Sequence, residues 1–243
     1  MFSRKVFSVF AVLVLVAVAS LSAMAMSAAA PDKGAVKARV DAPLNLAILV
    51  QDDLVARVGS ELEVTREFIR SLPAGSRVMV AYITVGSLQV RQAFTDDLEK
   101  AAKALRLPVG STAVSSYNPY VEVKEALRKF EEGGSNRNAL LLISDGLDTS
   151  RGFDADSAGN TIDLLRAVKE AQKRNVAIYS FYAPSVGLTS WNRLAIGYGQ
   201  SSLNRLSNET GGRAFFQGTS FVTFDSYFDR LRETLNNQYA KAY

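Results

Sequence analysis

The run LNLAILVQDD, from Leu44 to Asp53, constrains this chain more than any other stretch. It is nearly unbroken in apolar residues, ends on two acids and is too short to cross a bilayer. Such a run reads as a strand buried on both faces of a parallel sheet. Open α/β sheets bind ligands beyond the carboxyl ends of their strands, where successive connections diverge. A strand running into Asp52 and Asp53 therefore aims carboxylates at that place. ALLLISDGLDTS, Ala139 to Ser150, repeats the pattern and ends its strand at Asp145.

Periodicity supplies the other elements. Val58, Leu62, Thr65, Phe68, Ile69 and Leu72 recur at helical spacing before Pro73 and Gly75. Val78 to Ile83 predicts a second strand, Gly86-Ser87 a turn, and the alternation of Leu88, Val90 and Phe94 with Gln89 and Arg91 an antiparallel edge strand. A short helix is expected from Thr95, with Asp96 and Asp97 in its first turn. Helices carrying Tyr120, Val123, Leu127 and Phe130, and then Leu164, Leu165, Val168 and Ala171, flank the Ala139 strand. Val176 to Tyr182 predicts a further buried strand. Residues 184–200, with the single Trp191, read as a loop, and Leu203 and Leu206 as a brief helix. A short strand over 213–216 and an amphipathic helix over 224–235 complete the pattern. Strands alternating with helices give a doubly wound, mostly parallel α/β sheet with one antiparallel edge strand and helices on both faces.

The first residues differ from the rest. Arg4 and Lys5 precede an apolar run from Val6 to Ala19 and small residues up to Ala23-Met24-Ala25. That is the layout of a secretory signal peptide cut after Ala25, so residues 1–25 are expected to be removed and the protein exported, to the periplasm or beyond. No stable membrane span is expected after cleavage. Residues 26–43 read as a flexible leader, 44–238 as one domain and 239–243 as a short tail.

Composition removes function classes. The chain has no Cys and no His, which takes away the thiol nucleophile, the soft metal ligands and the commonest general base. It holds 28 basic and 24 acidic residues, and the signal segment contains two of the basic ones, so the mature excess falls from four to two. Nucleic-acid binding, which needs clustered Lys and Arg, is not expected.

Several stretches in this order resemble the von Willebrand factor type A domain, over about residues 44–238. They are LAILVQDD, GSTA before the third helix, LLISDGLDTS at the central strand, LLRAVKEAQKRNVAIYSF, and LNRLSNETGGRAFF. The QDDL ending further resembles a divergent exported branch of that family abundant in soil acidobacteria. That branch usually continues past a helix ending in NQY into one more strand, whereas here Lys241-Ala242-Tyr243 closes the sequence.

The resemblance implies a protein-binding domain with a divalent cation, commonly Mg²⁺, on the rim of the sheet. Its ligands would come from an Asp-x-Ser-x-Ser motif, a Thr and an Asp, which fall here on Asp52 or Asp53, Thr112 and Asp145, with Ser111, Ser144 and Asp148 near by. The first motif is incomplete in either frame. With Asp52 leading, Leu54 and Ala56 occupy the Ser places; with Gln51 leading, Asp53 and Val55 do. A weakly held cation is the most such a set implies. The same acids could instead organise structure, Asp53 capping the first helix and Asp145-Gly146 forming a turn. Asp154 and Asp156 in the loop after the central strand suggest a fragment of a calcium loop, but lack its Gly and closing Glu. Trp191 and Tyr198 are candidate partner contacts. The expected activity is protein binding without catalysis. A metal-free envelope scaffold and a metal-assisted hydrolase using Asp52 and Asp145 are the alternatives.

Overall fold

A computed structural model describes residues 43–110, 117–131, 137–153, 161–216 and 223–237. The expected signal peptide, the leader up to residue 42 and the tail, together with Ser111, Thr112, Asp154 and Asp156, lie outside the described residues.

Among the described residues six strands form one sheet: β1 (Leu44–Gln51), β2 (Arg77–Thr84), β3 (Ser87–Thr95), β4 (Arg137–Ser144), β5 (Val176–Tyr182) and β6 (Ala214–Phe215). Their spatial order is β3-β2-β1-β4-β5-β6, with β3 alone antiparallel to its neighbour. The helices are α1 (Val58–Arg70), α2 (Leu98–Lys103), α3 (Pro119–Leu127), α4 (Ile162–Lys173), α5 (Arg193–Glu209) and α6 (Asp225–Asn237).

Period-two alternation divides the core into two layers. Leu46, Ile48 and Val50 of β1 face α1, α2 and α6, whereas Ala47 and Leu49 face α3, α4 and α5. Burial on both sides explains why the central strands are apolar throughout rather than alternating. The first layer is rich in aromatics: the Phe181 ring lies 4.9 to 5.4 Å from those of Phe215, Phe224, Tyr227 and Phe228. The aromatic row of α6 is thus core.

The connection after β1 runs through α1 on one face, and that after β4 through α4 on the other. The rim between β1 and β4 is therefore the topological switch point, where such sheets place their sites.

Two expected boundaries move. Thr95 ends β3 instead of starting a helix, and Asp97 caps α2 by accepting from the Lys100 N–H at 2.9 Å. The 184–200 loop is shorter than expected, because Asn192 accepts from the N–H groups of Leu194 and Ala195 and starts a 17-residue α5 at Arg193. Its Gly197 and Gly199 disguised that helix in the sequence. Gly199 is required by packing: a Cβ there would stand 2.0 Å from the Asp145 carbonyl oxygen.

Candidate functional site: the acidic rim

Strand geometry decides how the three acids are used. Gln51 is the last residue of β1 and shares a face with Ala47 and Leu49. Val50 pairs with Ile143, so Gln51 stands level with Ser144. Its side-chain oxygen accepts from the Ser144 hydroxyl at 2.5 Å and from the Asp145 N–H at 3.3 Å, while its amide nitrogen donates to Asp53 Oδ1 at 2.7 Å. One side chain thus ties the end of β1 to the end of β4, in the frame where Gln51 leads and Asp53 follows two residues on.

Asp52 points elsewhere. Its two oxygens accept from the Arg106 guanidinium at 2.6 and 2.8 Å, and Oδ1 also accepts from the Val109 N–H at 3.1 Å. Arg106 lies over the Tyr82 ring, 4.1 Å from its centre, and its backbone brackets the Tyr82 hydroxyl. The hydrogen bonds to Asp52 hold the guanidinium pKa above its already high ordinary value.

Asp145 is held by neutral donors. Oδ1 accepts from the Leu147 N–H at 3.0 Å and Oδ2 from the Thr189 hydroxyl at 2.9 Å. The Asp145-Gly146 turn expected from sequence is present, with Gly146 at φ +71°. Thr189 sits in a 3₁₀ turn, Leu188–Ser190, on a loop locked to the segment after β1: Val55 N–H donates to the Pro184 carbonyl and Val186 N–H to that of Asp53. Asp53 does not cap α1, whose N-cap position is Arg57.

Asp52, Asp53 and Asp145 are 8%, 7% and 4% exposed. Burial, and then the Asp145 charge, push Asp53 up to about 7. Burial likewise raises Asp145. Burial raises the phenol of Tyr117, with Asp53 the next cause, and that of Tyr182, to which Asp145 adds.

Several participants escaped the sequence reading. Arg106 lies 54 residues from Asp52 and Thr189 44 from Asp145, and neither belongs to a motif. Gln51 had a signal, its place at the head of the second frame.

The described donors do not make an octahedral Mg²⁺ site. Both Asp52 oxygens are taken by a guanidinium, both Asp145 oxygens by protein donors, and one Asp53 oxygen by an amide nitrogen. Among the described residues, no group of three or more carboxylates converges as a metal cluster would. The Ser144 hydroxyl donates to Gln51 and accepts the Gly146 N–H at 2.9 Å.

The protein closes this rim with apolar side chains that solvent reaches. Of the eight large apolar residues exposed among those described, all but Val90 lie on rim connections or in the first helical turns that follow them. Leu107 and Val109 (72% exposed) follow Arg106; Trp191 (71%) and Leu194 follow Thr189. Tyr198 instead turns its ring edge toward Phe153, 6.1 Å away.

No protein-family model and no curated protein matches the chain. Solved structures do. BatB of Bacteroides thetaiotaomicron is 13% identical over 82% of this chain and 100% of its own, with a TM-score of 0.55. A von Willebrand factor type A protein from Catenulispora acidiphila is 17% identical over 81% of this chain and 43% of its own, with a TM-score of 0.54. An aerotolerance-related membrane protein of Bacteroides fragilis is 12% identical over 79% of this chain and 99% of its own, with a TM-score of 0.51. At these identities the likeness is one of fold. The chain has the von Willebrand factor type A fold, a mostly parallel sheet with one antiparallel edge strand.

Proposed function

We propose that this domain is an exported, non-catalytic protein-binding module that grips its partner with the rim around Asp52, Asp53 and Asp145. The observation that carries the reading is the crowding of exposed apolar side chains at that rim, since large apolar anchors above a buried polar centre are what interfaces use. The domain fold, used for protein interactions in many settings, agrees with it. Export rests on the leading residues of the sequence. No described helix is long and apolar enough to cross a membrane.

A divalent cation has at most a weak place here, because both oxygens of Asp52 and of Asp145 are already engaged. A metal-free envelope scaffold is the second reading, favoured by the Arg106–Asp52 pair. Capture from envelope extract separates the readings. The partner should be retained by the unaltered protein and lost at least ~10-fold with Trp191→Ala/Leu194→Ser. Equal capture by that variant would remove the rim from the interface, and capture abolished by EDTA would reinstate a cation.

A further inference from the structure

We infer that Arg106 is the resident cation of the Asp52 corner of this rim, an internal guanidinium that occupies both carboxylate oxygens a divalent ion would need there and leaves the folded domain indifferent to metal. The inference rests on the rim geometry and stands apart from the partner-binding reading.

Three buried acids follow the ends of β1 and β4, and Asp52 is the one that Arg106 reaches. Asp52 needs positive charge beside it, because buried carboxylates are expensive unless paired. Arg106 supplies it in fixed geometry. Its fork meets both Asp52 oxygens, its plane lies on Tyr82, and Nη1 also donates to the Leu107 carbonyl at 2.9 Å. A planar, always charged, bidentate donor is suited to that place in a way a flexible ammonium is not. The loop is shaped around the pair: Val109 N–H donates to Asp52 Oδ1 and Gly110 N–H to its backbone carbonyl, at 3.1 and 3.0 Å. Gln51 completes the replacement. An amide at the end of β1 removes one negative charge, and its nitrogen occupies the Asp53 oxygen that a metal would otherwise claim.

The test is Mn²⁺ binding by the full chain, read from the loss of the free-ion EPR signal, with Tm measured in Mn²⁺ and in EDTA. The unaltered protein should leave the Mn²⁺ signal unchanged and keep its Tm within about 1 °C. Arg106→Gln frees Asp52 and should lower Tm in EDTA, bind Mn²⁺ at least ~10-fold more tightly than the unaltered protein, and regain Tm when the ion is added. Arg106→Lys keeps a fixed charge and should stay indifferent to Mn²⁺, an outcome that a purely structural pair would not separate from Arg106→Gln. Tight Mn²⁺ binding by the unaltered protein would overturn the inference, as would an Arg106→Gln variant that ignores the ion. Should Arg106→Gln fail to fold, Mn²⁺ present during refolding decides: recovery supports the inference and no recovery ends it.

Discussion

The two corners of the rim solve one problem differently. At the β1–β2 corner, Asp52 keeps a full positive charge beside it, locked by two hydrogen bonds from Arg106 and a ring underneath. At the β1–β4 corner, Asp53 and Asp145 repel each other and receive, among the described residues, an amide, hydroxyls and backbone N–H groups. Dipolar donors lower the cost of burial but do not cancel a like charge. The second corner is therefore eased by retaining a proton. Position in the same sheet does not set an acid's behaviour; the charge across from it does.

The harshest way to break the second corner is steric. Gly199→Ala drives a methyl into the Asp145 carbonyl and should destabilise the fold by about 3 kcal/mol, measured by denaturant unfolding, with α5 displaced from the turn. An effect under about 1 kcal/mol would mean that α5 does not press on the site as described.

The next largest effect is on pH dependence. Folded Asp53 holds its proton up to about 7, against an ordinary value of 3.8. The folded state therefore carries an extra proton across that window. Its stability is fullest below pH 3.8 as far as this group is concerned, and falls as pH rises toward and through 7. Asp53→Asn should flatten that slope and stabilise the protein at pH 8 by roughly 2 kcal/mol. A variant that keeps the full slope would move the proton elsewhere.

The mildest test concerns one donor. Thr189→Val preserves shape but removes the hydroxyl that bonds Asp145, and should cost about 1–2 kcal/mol at neutral pH and less in acid, where a protonated Asp145 tolerates the loss. Equal loss at both pH values would point to the bonds this hydroxyl makes with the Ser185 N–H and hydroxyl, both at 2.9 Å, rather than to the carboxylate.

Legibility in the sequence followed the range of the interactions. The strands Leu44–Gln51, Arg137–Ser144 and Val176–Tyr182 were plain because burial on both faces demands an apolar run. Helix α5 was not. Two glycines and a Tyr blurred its start, and the need for Gly199 arises only from an oxygen that another segment places against it.

By itself the sequence determined the alternation of elements, the helices on both faces implied by unbroken apolar strands, and the presence of acids at the carboxyl ends of β1 and β4. Those are consequences of local pattern and the hydrophobic effect. Which acid faces which neighbour was left to the tertiary structure. Strand alternation turned Asp52 and Gln51 to opposite sides, and loops far along the chain brought Arg106 to the one and Thr189 to the corner of the other. Charge pairing depends on distances in space, and no spacing along the chain encodes them.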